Sequence, residues 1–176
     1  MKTEHKSSII AILFAVLFIN GAVTCSSSSL IPVGWRMPEV TDYSEITISL
    51  HNNEPPAKVI ADFDGDGFID QAYILINDKQ KKWGLFVFWR LKSGQGKIQE
   101  IDEHEFDSQI HMGISLLSPG SHKTACGLGY YECEAGEPTE IKLSNPGIGY
   151  FVIGSAYSVY FWDDKGQKLK QVWLSD

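Results

Sequence analysis

Four aspartates clustered within one short segment form the part of the chain best suited to chemistry. They are Asp62, Asp64, Asp66 and Asp70. In an extended chain these carboxylates would not meet at one point, so Gly65 and Gly67 are expected to bend the segment into a loop. Converging carboxylates repel one another unless a cation lies among them. Because Ca²⁺ prefers oxygen-only ligation with flexible geometry, the sequence predicts a Ca²⁺ site in this loop.

The spacing of the aspartates matches much of an EF-hand calcium loop. With Asp62 at loop position one, the other three fall at positions three, five and nine, and Phe68 can offer its carbonyl from position seven. Position twelve differs, because an EF-hand has a bidentate Glu there and this chain has Tyr73. The flanking segments are apolar and strand-like. A calcium loop between two central strands is therefore predicted in place of an EF-hand.

With these flanks, Asp62–Asp70 resembles the FG-GAP or VCBS-type calcium repeat, in which a DxDGDGxxD loop joins two strands. The resemblance implies that the four aspartates bind Ca²⁺ through their side chains and that Phe68 binds it through its backbone carbonyl. In the integrin-like family the repeat recurs to build propeller blades. Here it occurs once, in a chain too short for a propeller. The alternative interpretation is a solvated acidic turn.

Cys126 and Cys133 are separated by six residues, two of which are glycines. The glycines allow the chain to close on itself, so the pair favours a disulfide. A metal-binding pair is the alternative, but a typical zinc site needs two further ligands at short spacing, and none is near. The third cysteine, Cys25, leaves an odd thiol that needs its own explanation.

The N-terminal region has the pattern of an export signal. Lys2 and Lys6 precede the apolar run Ile9–Ile19, which is too short to span a bilayer as a helix. Residues 1–24 are therefore predicted to be a signal peptide.

The residues that end this run, Ala22–Cys25, resemble the lipobox of a bacterial lipoprotein, although Thr24 replaces the small residue usual before the Cys. The resemblance implies that Cys25 is acylated, which accounts for the odd cysteine. It also implies sorting to the outer membrane, because Ser26 stands where an Asp would retain the protein elsewhere. Residues 25–34 are then a Ser-rich tether. Ordinary secretory cleavage, giving a periplasmic or secreted protein, remains the alternative.

Composition narrows the class of protein and of partner. Hydrophobic residues make up 43% of the 176 residues, which is typical of a globular domain, and we predict one domain over residues 35–176. The formal net charge is −7. This charge argues against nucleic acid or an anionic membrane surface as a partner, and it favours a basic protein partner. Membrane contact is expected through the lipid anchor only.

The chain pattern predicts a mainly β, or β-rich α+β, domain with antiparallel sheets. Alternation over Ile46–Leu50 predicts a half-buried strand. Apolar segments before and after the aspartates predict two central strands, and Trp83–Leu91 predicts a strand buried on both faces in the middle of the sheet. Near the C-terminus, Asp163–Gly166 predicts a hairpin turn in which Gly166 takes the positive φ.

Signatures of catalysis are harder to find in the sequence. His104-Glu105 lacks the second His of a zinc-protease helix because Ser108 stands in its place, and no serine lies in a G-x-S-x-G elbow. The tryptophans could line a sugar-binding platform, but aromatic residues at strand spacing are more often core. They are Trp35, Trp83, Trp89, Trp162 and Trp173.

These observations predict a non-catalytic binding or interaction module of the cell envelope, exported and lipid-anchored, with one structural Ca²⁺. A periplasmic inhibitor or immunity protein acting against a toxin or hydrolase is the alternative that the size, charge and export also fit. A small envelope hydrolase is less favoured, because Ca²⁺ held by four carboxylates has little free valence to activate water.

Overall fold

The computed structural model describes residues 31–152 and 154–175 of the protein. Within them the chain forms ten strands, one α-helix and two short 3₁₀ turns. The helix α1 is Glu45–Leu50, and the 3₁₀ turns are Val40–Asp42 and Cys126–Leu128. The strands are β1 (Lys58–Ala61), β2 (Asp70–Asn77), β3 (Lys82–Arg90), β4 (Gly96–Glu105), β5 (Met112–Leu117), β6 (Gly120–Lys123), β7 (Glu140–Leu143), β8 (Gly147–Val152), β9 (Tyr157–Asp163) and β10 (Lys168–Ser175). The predicted signal peptide and Cys25 lie outside the described residues.

The strands build two four-stranded sheets and a two-stranded ribbon. The first sheet has the order β1-β2-β3-β4, the second has the order β10-β9-β8-β5, and β6 pairs with β7. All of these pairings are antiparallel. The predicted mainly β, antiparallel fold is confirmed.

The two large sheets share one hydrophobic core. Ile74 in β2 and Ile148 in β8 are fully buried members of it. The opposite face of β2 and β3 is covered as well, because Ile31 and Trp35 pack against the cluster that contains Phe86. The Trp35 and Phe86 rings meet edge to face, with their centroids 4.6 Å apart. As predicted, β3 is internal to its sheet and buried on both faces.

The outer strands of the first sheet are β1 and β4. The prediction of a central strand at β1 is wrong, because β1 lies at the edge and its residues alternate between exposed and buried. The aspartate loop therefore joins an edge strand to an internal strand. At the other edge, β4 is a ten-residue strand with its register against β3 shifted between Leu85 and Phe86.

The segment Ile46–Leu50 is helical, which corrects the predicted strand. Ser44 caps the helix, since its hydroxyl accepts a hydrogen bond from the Thr47 N–H at 3.2 Å. Thr47 and Ile48 face the protein interior. Five alternating residues are too few to separate a strand from a single helical turn, and here the N-cap decides. Among the described residues, no helix is long and apolar enough to cross a membrane.

The C-terminal hairpin forms where the sequence predicts it, between β9 and β10, but its glycine has a different role. The positive φ falls on Gln167, at 49°, rather than on Gly166. A Cβ atom at Gly166 would lie 2.7 Å from Oδ2 of Asp163, which caps the turn by accepting a hydrogen bond from the Gly166 N–H. Glycine therefore leaves room for this cap, and a larger residue would require the Asp163 side chain to shift.

Candidate metal centre

The aspartate loop begins and ends at one place in the first sheet. Ala61, the last residue of β1, pairs directly with Asp70, the first residue of β2. Gly65 and Gly67 have φ values of 75° and 88°, so the chain bends at both glycines as predicted. A Cβ atom at Gly65 would lie 2.6 Å from the side-chain nitrogen of Asn145, so a larger residue there would also require the Asn145 side chain to move.

Carboxylates in the loop accept hydrogen bonds from the loop's own backbone. Asp62 accepts from the Gly65 N–H at 2.8 Å and from the Gly67 N–H at 2.9 Å. Asp64 accepts from the Asp66 N–H at 3.1 Å. These bonds fold the loop inward, and they hold the two side chains in one orientation.

Asp70 anchors the base of the loop. The residue is 1% exposed, and its two carboxylate oxygens accept hydrogen bonds from the Phe63 N–H at 3.1 Å and the Arg90 N–H at 2.8 Å. Burial raises the pKa of Asp70 to about 6, because removal from water disfavours the charged form. The two backbone donors oppose this rise, and the carboxylates of Asp64 and Asp66 add to it.

Three of the predicted ligands converge. One carboxylate oxygen from each of Asp62, Asp64 and Asp70 lies within 4.8 Å of the other two. Oxygens that bind Ca²⁺ at about 2.3–2.6 Å are at most about 5 Å apart across the ion, so this separation suits a shared cation. The pKa of Asp64 is raised, first by burial and also by the neighbouring carboxylates of Asp66 and Asp62. A cation among the three would favour the charged form of Asp64 and would therefore oppose this rise in its pKa.

The two other predicted ligands have different positions. Asp66 lies outside the converging trio, and its carboxylate accepts a hydrogen bond from the Phe68 N–H at 2.8 Å. Phe68 is partly buried. The prediction that both bind the ion stays a prediction.

Sequence reasoning missed three residues that shape the loop. The Phe63 side chain is 1% exposed and fixes the loop against the shared core. Arg90 contributes its backbone N–H from the end of β3, and Asn145 borders Gly65 from the segment between β7 and β8. An apolar residue between two aspartates was the available signal for Phe63. The other two come from distant parts of the chain, and no local pattern indicates them.

The predicted disulfide is present between Cys126 and Cys133, whose Cα atoms are 4.9 Å apart. Glu137 lies near the two sulfur atoms. Because both sulfurs are used in the disulfide, neither is a thiolate that could bind a metal. The alternative of a metal-binding cysteine pair is thereby excluded.

His104 belongs to a polar network that the sequence does not indicate. Its Nε2 lies 2.9 Å from the Asp102 carboxylate and 3.0 Å from the Tyr150 hydroxyl, and its ring stacks on Trp83 with centroids 4.4 Å apart. Burial raises the pKa of Tyr150, as does the charge of Asp102. The network links β4 to β8 and so ties the two sheets together.

Comparison of the chain with protein-family models, with curated proteins and with solved structures finds no match. The geometry of the aspartate loop and the sequence therefore carry the functional argument.

Proposed function

We propose that the loop between β1 and β2 binds one Ca²⁺, and that the protein is a non-catalytic binding module of the cell envelope that needs this ion for full stability. The convergence of Asp62, Asp64 and Asp70 supports the proposal most directly. Three carboxylates brought together in a partly buried loop repel one another, and a bound divalent cation converts that repulsion into attraction.

Calcium fits this donor set better than zinc or magnesium. The converging atoms are all carboxylate oxygens, whereas zinc sites usually include His or Cys. Magnesium demands a near-ideal octahedron and usually binds through one or two carboxylates, so three converging carboxylates favour calcium. Asp66 and the Phe68 carbonyl complete the proposed ligand set.

In this proposal the ion has a structural role. Asp70 starts β2 and accepts a hydrogen bond from the end of β3, while Asp62 directly follows β1. A cation bound by both residues ties the edge strand to the interior of the first sheet. Because this arrangement exists only in the folded chain, binding stabilises the fold.

Localisation and anchoring are part of the same proposal. We infer from the sequence that the chain is exported and that an acylated Cys25 holds it to the outer membrane. Mass spectrometry of the mature N-terminus tests this, because a diacylglyceryl addition on Cys25 supports anchoring. An unmodified start at another residue contradicts it.

Isothermal titration calorimetry with Ca²⁺ tests the ion site. Wild-type protein should bind one equivalent, and Asp64→Asn should abolish binding because it removes a charge from the converging trio. Asp164→Asn is the matched control, since it removes an exposed aspartate in the β9–β10 turn. Absence of Ca²⁺ binding by wild-type protein, or equal binding by the Asp64→Asn variant, contradicts the proposal.

A second candidate function, a periplasmic inhibitor or immunity protein, is favoured by the segment from Cys126 to Glu140. This segment contains no Lys or Arg, and its Tyr130 is 55% exposed. Its acidic residues are Glu132, Glu134, Glu137 and Glu140. An exposed aromatic side chain on an acidic, disulfide-closed loop suits a basic partner. Affinity capture of one basic envelope protein that is lost with Tyr130→Ala supports this function, and equal capture by the variant contradicts it.

A further inference from the structure

A small cavity lies beside the aspartate loop, and Asp64 forms part of its wall. Its volume is about 210 Å³. We call it the tryptophan cavity; its lining residues are Asp64, Trp89, Leu91, Lys97, Gln99, Trp162, Gln167 and Lys168. They come from the aspartate loop, from the end of β3 and the start of β4, and from the β9–β10 hairpin. The cavity therefore bridges the two sheets at the same end as the proposed ion.

Two indole rings line the cavity. Trp89 and Trp162 have their ring centroids 5.4 Å apart, with the planes tilted by 59°. Trp89 is 5% exposed, so Trp162, which is partly buried, supplies the more accessible ring. A fixed aromatic face packs well against the flat apolar side of a sugar ring.

The amide of Gln99 is fixed at the cavity by one hydrogen bond, and its NH₂ group is left without a partner among the described residues. The Oε1 of Gln99 accepts a hydrogen bond from the Trp89 indole N–H at 2.9 Å. This bond fixes the amide, and its Nε2 has no hydrogen-bond partner among the described residues. Gln99 is thus a positioned donor for a ligand hydroxyl or carboxylate.

Two lysines and one aspartate line the cavity, so its lining has a small net positive charge although the chain is acidic. Lys97 and Lys168 line it, and neither takes part in a salt bridge within the described residues. A Ca²⁺ bound at Asp64 would offset the negative charge of that carboxylate on the opposite wall. A ligand with a carboxylate is therefore favoured over a neutral one.

We propose that the tryptophan cavity binds an acidic sugar unit of a polysaccharide, a uronate, through Trp162, Gln99 and the two lysines. The volume of about 210 Å³ lies below the roughly 300–1,000 Å³ of pockets for drug-sized ligands, so it suits one ring rather than an extended peptide. The assignment extends the proposed function, and it rests on that function only for the contribution of the ion. The protein is then a calcium-assisted module that binds acidic polysaccharide.

Titration with trigalacturonate, followed by calorimetry and tryptophan fluorescence, tests the assignment. In Ca²⁺ the wild-type protein should bind it, and the methyl-esterified trimer, which lacks the charges, should bind at least about tenfold more weakly. The double variant Lys97→Ala, Lys168→Ala should also lose about tenfold, while Lys142→Ala, which removes an exposed lysine on β7, should bind like wild type. Wild type and the lysine variants are compared in the same Ca²⁺ buffer. Any binding of Ca²⁺ by trigalacturonate itself is therefore equal in all of these titrations. Trp162→Ala should abolish binding if its circular dichroism matches wild type.

Three results would overturn the assignment. They are absence of trigalacturonate binding at millimolar concentration, unchanged binding by the double lysine variant, and equal binding of a triglutamate peptide of the same charge. The failure of the ion proposal looks different. Calcium binding without sugar binding rejects the cavity and keeps the ion site, whereas sugar binding that is unaffected by chelator, in a protein that binds no Ca²⁺, rejects the ion site and supports the cavity.

Discussion

Two short loops of this protein return the chain to its starting point by different means. The aspartate loop begins beside Asp70 and ends at it, because Ala61 and Asp70 are paired across β1 and β2. The disulfide loop brings the Cα atoms of Cys126 and Cys133 to 4.9 Å. The disulfide loop is closed by a covalent bond, and the aspartate loop is closed by hydrogen bonds that its backbone N–H groups donate to carboxylates of like charge.

The two loops differ in the conditions under which their closure stabilises the protein. A disulfide restricts the unfolded chain and therefore stabilises the protein in every buffer that keeps it oxidised. The aspartates converge in the folded chain and repel one another there, so we expect their contribution to depend on a cation. The disulfide loop is stabilised whether or not Ca²⁺ is present, whereas we expect the aspartate loop to be stabilised only when Ca²⁺ is bound.

The largest expected effect is the response of the aspartate loop to Ca²⁺. At a free concentration of 100 times the dissociation constant, one site adds about 2.7 kcal/mol to the free energy of unfolding. We expect a dissociation constant of about 10⁻⁶ to 10⁻⁴ M, tighter than many extracellular modules. Thermal melting in Ca²⁺ and in chelator should then differ by roughly 5 to 10 °C. Mg²⁺ should reproduce little of the shift. Identical melting temperatures in chelator and in millimolar Ca²⁺ would show that Ca²⁺ does not stabilise the aspartate loop, and the proposed difference between the two loops would then be wrong.

Removing the disulfide should have a slightly smaller effect that Ca²⁺ does not change. By the chain-entropy model a ring of this length contributes about 2.5 kcal/mol, which the double variant Cys126→Ala, Cys133→Ala should lose. Urea denaturation measures the loss, and a reductant should destabilise wild-type protein but not the variant. Two free thiols in denatured, unreduced protein from cells would contradict the structure.

Asp66 offers a finer test of the aspartate loop. Because it lies outside the converging trio, Asp66→Asn should weaken Ca²⁺ binding by about tenfold, or about 1.4 kcal/mol, where Asp64→Asn abolishes it. Calorimetry on both variants gives the comparison. If the two substitutions are equally severe, Asp66 contributes as much to Ca²⁺ binding as Asp64 does, although it lies outside the converging trio.

The smallest expected effect comes from a third contact between charged groups, the ion pair between Arg36 and Asp42. The guanidinium donates to the Asp42 carboxylate at 2.6 and 3.0 Å and holds the pKa of that carboxyl below its usual value. A depressed pKa in the folded state stabilises the protein above the unfolded pKa of about 4, and this contribution is lost as the pH falls through the lower folded value. Asp42→Asn should cost about 1 kcal/mol at neutral pH, less in high salt. Denaturation at pH 7 and pH 3 measures it, and an equal loss at the two pH values would contradict the electrostatic explanation.

Local signals predicted several of the features that local chemistry determines. The bends at Gly65 and Gly67 and the disulfide follow from residues within a few positions of one another, and the structure has them all. The two-sided burial of β3 also follows from its own sequence, because apolar residues occupy both faces.

Features that depend on distant residues were not predictable in this way. The edge position of β1 depends on which other strands pair with it in the folded sheet. The four residues of β1 do not determine that pairing. Arg90 and Asn145 reach the aspartate loop only after the sheets have formed. The pairing of Trp89 with Trp162 likewise joins different sheets, so the sequence alone favours treating each as core.

The long outer strand β4 has a consequence for how copies of the protein meet. An exposed strand edge is a template for pairing with a second chain, and strands of this length are a common starting point for aggregation. Four of the ten residues of β4 are acidic, and they are Glu100, Asp102, Glu103 and Glu105. Two copies that approached edge to edge would bring carboxylates together without a cation between them, and the shifted register would misalign their backbones. The kind of repulsion that we expect a cation to relieve in the aspartate loop would here oppose the joining of sheets from neighbouring molecules.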